Sequence, residues 1–466
     1  MLILMLFLAR PAQADSPTPD FNEGDSPHIV LETREPRWSL PIYRQPDTRS
    51  PVRGRLLKDE AFHVLERVEG RGCSGEEGWA RLQGDGYVCL DKTRPSSGQP
   101  IALPRLTTFD HPETDEYWDY LETGEYDRQE LSAEDSLVPF VYAKPWKRWS
   151  APSWQSLWAW NAGRAANENL STESKYHFKE VIETERGTVL KHSSGVVVPV
   201  DRIFIYPVSR FHGRDLIARP VGEGMLPAWV HGYDGGPVYA TPDDTGEPAL
   251  VLPYHQELAV RSEPVDKEGH WWEIPDALGA GRPGYVHDEV AVRHWVPRPA
   301  PEEIESDEVW IDIDRGQQIL ALRKGDDVLF MTLVSTGKKR KYTTPSGMYR
   351  VMSKTVHTDM RSKPDSDQPY HVEKVPWAAS FWTRYALHGT YWHWGFGNSA
   401  SRGCINLSPR DAKYIFDRLH PLLPDGWGTV YETPQDPGMV LRVRLGADEE
   451  LKDRRRLLHD DRQVSR

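Results

Sequence analysis

The stretch Ala386-Leu387-His388-Gly389-Thr390-Tyr391-Trp392-His393 leads, within one short run of chain, to Ser401-Arg402-Gly403-Cys404-Ile405-Asn406. It holds a nucleophile, a base and a group of backbone donors. Gly403 leaves the Cys404 N–H uncrowded, so the sulfur is expected at the end of a tight turn, open to a substrate. The thiolate is the reactive form of cysteine, and a neighbouring imidazole is the usual way to generate it near neutral pH. Cys404 is therefore read as the nucleophile and His388 as its base. The N–H groups of Gly403 and Cys404 are read as donors to a developing oxyanion.

Outward from the cysteine, Ser408-Pro409-Arg410-Asp411 is a capping box with proline in the first turn. Ala412, Ile415, Phe416 and Leu419 follow at helical spacing, and Pro421 ends the element. Upstream, Val309-Trp310-Ile311-Asp312-Ile313-Asp314 alternates as a strand does, and Gln317–Leu322, Val328–Ser335 and Gly347–Lys354 are further strand candidates. The cysteine loop is thus expected between strands and a short amphipathic helix. From Lys354 to Trp377 the chain is polar and without clear periodicity, carrying His357, Asp359, Arg361, Lys363, Asp365, Asp367 and His371. It is read as a loop over the active site. Neither His357 nor His371 belongs to a recognised ligand spacing, so no metal and no cofactor are expected.

At 466 residues the chain is too long for one core, and three or four domains are expected. The net charge of −13 argues against a nucleic-acid partner, which selects basic faces. The apolar run Leu2–Ala9 and the small-residue pattern Ala12-Gln13-Ala14 read as a secretory signal over residues 1–14. No later stretch is apolar enough to span a bilayer. An exported protein is expected, in the periplasm or cell wall. Export favours disulfides, and Cys73 and Cys89 lie in one apparent β unit, which leaves Cys404 as the odd thiol.

Tyr-x-x-Pro recurs at Tyr43, Tyr142 and Tyr239, and Gly86-Tyr87-Val88 and Gly284-Tyr285-Val286 follow the first and third copies. Gly195-Val196-Val197-Val198-Pro199-Val200 is the candidate closing strand of the middle copy. Small closed β units, whose first and last strands meet, are the expectation. Residues 297–305 read as a stiff proline-rich linker, and 447–466 as a charged tail.

His388-Gly389-Thr390 with Ser401-Arg402-Gly403-Cys404-Ile405-Asn406 resembles the signature of L,D-transpeptidase catalytic domains of the YkuD type. Thr344-Pro345-Ser346-Gly347 and Val334-Ser335-Thr336-Gly337 resemble two further landmarks of that family. The resemblance covers residues 306–444 and implies a β-sandwich-like fold with mixed sheets. Arg402 departs from the many members that carry histidine there, and a guanidinium could lower the thiol pKa or hold a substrate carboxylate. The repeats resemble bacterial SH3-like domains over 38–95 and 227–295, with a divergent copy over 136–206. That resemblance implies wall binding, with a spacer role as the alternative.

The expected fold is mainly β: two or three small SH3-like barrels ahead of the sandwich. The catalytic resemblance implies peptidoglycan stem peptides as substrate, a Cys404 thioester, release of D-alanine, and peptidoglycan cross-linking that supports cell shape. The acceptor is an amine of a neighbouring stem or of a wall-anchored lipoprotein. Hydrolysis at the same pair, of L,D-carboxypeptidase or amidase type, and a non-catalytic wall-binding scaffold are the competing readings. Either the Gly389 carbonyl or Ser401 orients His388, and Asn406 braces the loop. Gly389, Thr390, Tyr391, Trp392, His393, Arg402 and Asn406 are the candidate substrate contacts, the aromatic cluster with Trp394 being either groove wall or core.

Overall fold

The computed structural model describes residues 30–100, 138–146, 151–267, 270–288, 292–338, 342–362 and 369–446. The signal at 1–14, the tail at 447–466, and Lys363, Asp365 and Asp367 lie outside the described residues. The architecture is mainly β.

In the last third of the chain two sheets face each other. One runs in the order Arg214–Asp215, Asp327–Leu333, Ile319–Lys324, Val309–Asp314, Val440–Arg444, Gly347–Arg350. The other contains Ser353–Arg361, His371–Trp382, Tyr385–Gly389 and Ile405–Leu407. Ile311, Ile313, Leu320 and Leu322 from the first meet Val356, Ala379, Phe381, Leu387 and Ile405 from the second in one core. The helix Pro409–Arg418 adds Ala412, Ile415 and Phe416 to it. Ser408 caps that helix by accepting from the Asp411 N–H at 3.1 Å. Asp411 does not reach back to close the box; its carboxylate binds His212 and the Gly213 N–H instead.

Most of the segment from Lys354 to Trp377 is strand, not loop. Its polar side chains hid the alternation because they are buried on internal partners. Lys354 is buried and donates to the Leu419 carbonyl at 2.7 Å, and His357 is buried as well. The pairing also slips between Thr358 and Met360, and Lys374 and Trp377 take positive φ. A bulged strand loses strict period two.

Charges are buried only in partnership. Asp312 binds Arg442 and Arg444, and Arg444 binds Asp314 at 2.7 Å. The same arginines hold the proline-rich linker: Arg444 donates to the Val296 carbonyl and Arg442 to that of Pro299.

Three small β units precede this sandwich. Their first strands are Glu32–Pro36, Val141–Pro145 and Met225–Val230, and each pairs with the unit's last strand, Thr93–Pro95, Ile203–Ile205 or Val292–His294. The first and third units thus begin ahead of residues 38 and 227. The register corrects the middle repeat. Tyr43 pairs with Tyr87 and Tyr239 with Tyr285, but the residue placed equivalently in the middle unit is Trp154, which bridges Val197. Tyr142 lies one strand earlier, paired to His177, so the strand at Val197–Pro199 does not meet it. The true recurrence is Pro-x-aromatic: Pro41-Ile42-Tyr43, Pro152-Ser153-Trp154, Pro237-Val238-Tyr239. In the first unit Cys73 and Cys89 are bonded, with Cα atoms 5.6 Å apart.

Each unit docks differently on the sandwich. The first joins its sheet, Gly54 pairing Val430 and Arg55 pairing Thr429, with Trp427 in the unit's core. The second pairs Ser174–Lys175 in parallel with His371–Val372. The third packs Trp229 and Trp295 against Leu333 and Phe396.

Candidate active site

The strands Tyr385–Gly389 and Ile405–Leu407 are parallel neighbours, Leu387 opposite Ile405 and His388 opposite Asn406. One step back, Cys404 falls opposite Ala386. Side chains alternate along strands, so Ala386, His388 and Asn406 share one face, and Cys404 enters the second strand just before Ile405. The pairing thus sets the candidate nucleophile Cys404 and the candidate base His388 on adjacent segments. Cys404 is the free cysteine and keeps a partly exposed surface. Its thiol points to the Arg384 carbonyl at 3.8 Å, and the Ala386 N–H is directed at the sulfur.

The cysteine loop is built by the two upstream landmarks. Thr344 Oγ1 accepts from the Gly337 N–H at 2.9 Å and donates to the Gly403 carbonyl at 2.8 Å. Ser335 and Asn406 exchange backbone hydrogen bonds, both 2.9 Å. Gly403 has φ +123°, and a Cβ there would lie 2.7 Å from the Tyr385 ring, so glycine is required.

His388 is buried, and its Nδ1 lies 3.1 Å from the Gly389 carbonyl, which is an acceptor only. Nδ1 therefore carries the proton, which leaves Nε2 as the nitrogen with a free lone pair. Thr390 Oγ1, at 3.4 Å from the same nitrogen, is a secondary contact. Ser401 is not the orienting group: it donates to the Cys404 carbonyl and accepts from the Gly403 N–H at 3.0 Å. That bond also takes the Gly403 N–H out of the expected oxyanion pair.

The electrostatics correct the expectation of a preformed thiolate. Burial lowers the His388 pKa to about 4, against a smaller raising effect of the Gly389 carbonyl. Enclosure raises the Cys404 thiol above its ordinary 9.0, partly offset by the Ala386 N–H. Both shifts favour the neutral forms, thiol and imidazole.

The other candidates separate into core and rim. Thr390 and Tyr391 are buried; Tyr391 stacks on Tyr142 at 3.6 Å and donates to the Glu373 carbonyl at 3.1 Å. Both side chains are packed in the core, and the Gly389 carbonyl accepts from His388. His393 is held by the buried Asn406 amide at 2.9 Å, with burial lowering its pKa to about 3. Asn406 thus braces His393, not the cysteine turn. Trp392 is half-buried, its ring 5.7 Å from that of His388, and Trp394 is half-buried too. Arg402 is exposed and stacks on Tyr370 at 4.7 Å.

Sequence reasoning missed Tyr370 and Lys175. Burial and the nearby Cys404 raise the Tyr370 pKa, while burial lowers that of Lys175 to about 8, helped by Lys144 and Arg402. Both thus flank the rim. Tyr370 follows the strings of charge that masked the strand; Lys175 comes from another unit, and no local signal marks it.

Residues 307–434 match the family model described as YkuD, the L,D-transpeptidase catalytic domain. That segment is similar to L,D-transpeptidase catalytic domains of the YkuD type. A Bacillus subtilis protein, YciB, whose name places it among the L,D-transpeptidases, is 22% identical over 135 residues, which is 25% of this chain and 64% of YciB. Among solved structures, an Enterococcus faecium L,D-transpeptidase is 22% identical, with 30% of this chain and 50% of that one covered and a TM-score of 0.24. An L,D-transpeptidase of Mycobacterium smegmatis is 19% identical, covering 40% of this chain and 90% of that one, also at 0.24. The chain thus spans under two thirds of YciB and half of the Enterococcus protein.

Proposed function

We propose that the protein is an exported, cysteine-dependent L,D-transpeptidase acting on peptidoglycan stem peptides. The observation that supports this reading is the parallel pairing of the His388 strand with the strand that begins directly after Cys404, within the segment that matches the YkuD domain. His388 Nε2 takes the thiol proton as Sγ bonds to the carbonyl carbon on the L-centre side of an L,D-peptide bond. The electron pair moves to the carbonyl oxygen, and the Cys404 N–H is assigned as its donor, since the Gly403 N–H is engaged. Such a donor is worth on the order of 10²–10³ in rate. Collapse of the intermediate expels D-alanine, whose nitrogen takes the proton back from His388. An acceptor amine then attacks the thioester, gives its proton to His388 and releases the thiolate, which is reprotonated.

Because both groups rest neutral, proton transfer accompanies attack, and the base remains competent well below pH 6.5. Trp392 beside His388 and Arg402 at the rim are the assigned substrate contacts, Arg402 for a stem carboxylate. The upstream units are assigned as SH3-like wall-binding modules, supported by exposed Trp38, Trp158 and Tyr233.

Incubation with tetrapeptide stems tests the reading: D-alanine release and cross-links are expected, both lost in Cys404→Ala. With a free D-amino acid added, exchange products are expected; free acid alone would make the enzyme a hydrolase. Replacing Trp38 and Trp158 with alanine in the full chain should weaken co-sedimentation with insoluble peptidoglycan, and unchanged sedimentation would make the modules spacers.

A further inference from the structure

We propose that His177, His192 and Glu373 form a binding site for a divalent ion of the zinc class, joining the second unit to the sandwich. His177 Nδ1 lies 2.6 Å from Glu373 Oε2, and His192 Nε2 lies 3.0 Å from the same oxygen. All three donor atoms fall within 4.8 Å of one another. Ligand atoms about 2.0–2.1 Å from a tetrahedral zinc ion sit about 3.3 Å apart, so opening these contacts by less than about 1 Å admits the ion.

His177 has the outer partner a metal ligand needs: its Nε2 is 2.8 Å from Ser193 Oγ, a bond that fixes the ring and leaves Nδ1 for the ion. His192 Nδ1 is 2.7 Å from Ser194 Oγ and accepts from the Ser194 N–H at 3.1 Å, so without the ion its Nε2 carries the proton. Binding moves that proton to Nδ1, toward Ser194 Oγ, and breaks the hydrogen bond from the Ser194 N–H. The pocket is enclosed: His177 and Glu373 are buried, and the Phe140 ring stands 5.0 Å from that of His177. Two imidazoles and one carboxylate suit zinc, with cobalt as its spectroscopic substitute, over calcium or magnesium; water takes the fourth position.

No local pattern marks this set, because Glu373 lies 196 residues from His177 and 181 from His192. Tyr391 donates to the Glu373 carbonyl, and Tyr142 to that of Lys374 at 2.6 Å. An ion here therefore fixes the strand on which the active-site wall rests.

The test uses the full chain, free of any histidine tag and stripped with a chelator, in a Cys404→Ala background so that the active-site thiol binds no metal. Titration with zinc chloride followed by calorimetry should show one ion per chain and a melting temperature raised by several degrees. Cobalt should give the visible bands of a tetrahedral site. His192→Ala should weaken zinc binding by at least about 100-fold and abolish both the bands and the thermal response. Glu373→Gln should do the same, and His192→Gln stands in should the alanine variant lose its circular dichroism. Absence of stoichiometric zinc, or binding unchanged in the His192 and Glu373 variants, would overturn the site and leave a hydrogen-bonded clasp.

Discussion

The first and second upstream units are attached to the same sandwich at different strands. The first adds its strands to the catalytic sheet, and Trp427 of the sandwich fills its core, against Gly54 and Gly86 where any Cβ would collide with the indole. The second also pairs a strand, Ser174–Lys175 with His371–Val372, and adds side-chain contacts: Tyr142 stacked on Tyr391, and His177 and His192 on the Glu373 carboxylate. The Tyr391 ring is in turn 5.0 Å from that of Trp392, which adjoins His388. The first junction, at Thr429–Tyr431, is separated from Tyr385–Gly389 by the strands Ser353–Arg361 and His371–Trp382, whereas the second is made on His371–Trp382 itself, the strand that pairs with Tyr385–Gly389. Its side chains are therefore expected to couple docking to the candidate site.

The largest effects should come from breaking each junction at its aromatic anchor. Trp427→Ala and Tyr391→Ala should each cost about 3–5 kcal/mol in denaturant unfolding. Only Tyr391→Ala should also slow acylation of Cys404, by at least about tenfold, read as the rate of adduct formation. Equal acylation rates in the two variants would erase the distinction.

Acid should loosen the third unit's attachment and the site together. His255, whose Nε2 lies 3.2 Å from the Phe396 carbonyl, is depressed by burial to about 3, and His294 and His388 to about 4. These groups stay neutral in the fold where the unfolded chain protonates near 6.5. Stability is therefore fully present above about pH 6.5 and is lost as pH falls toward 4, by up to about 3 kcal/mol per histidine. Melting temperature measured from pH 7 to pH 4.5 should fall steadily; a flat profile would refute the assignment.

Gly403→Ala sharpens the comparison by disturbing the site while both junctions stand. At φ +123° and against Tyr385 it should cost about 1–3 kcal/mol and about 10²-fold in acylation. Smallest is Tyr142→Phe, which removes one 2.6 Å hydrogen bond to the Lys374 carbonyl and should cost about 1 kcal/mol by the same unfolding assay.

Local chemistry was legible and long-range pairing was not. The alternation at Val309–Asp314 and the proline-started helix after the cysteine announced themselves because each answers to neighbours in sequence. The strands between Lys354 and Trp382 did not, since Lys354 and Glu373 find hydrogen-bond partners in distant segments and His357 is buried against the Phe140 ring, which breaks the polar–apolar rhythm. The middle repeat misled for a related reason: Tyr142-Ala143-Lys144-Pro145 copies a motif while occupying a different strand. At the site, the candidate nucleophile Cys404 and candidate base His388 could be named from sequence. The partner of His388, the loss of the Gly403 N–H to Ser401, and the neutral resting state depend on geometry that no spacing reveals.

The most direct test is intact-protein mass spectrometry after mixing the enzyme with a tetrapeptide stem. The account predicts an adduct on Cys404 equal to the stem less D-alanine, cleared by an added amine and absent from Cys404→Ala. Wild type without any adduct under turnover, or an adduct that persists in Cys404→Ala, would contradict it.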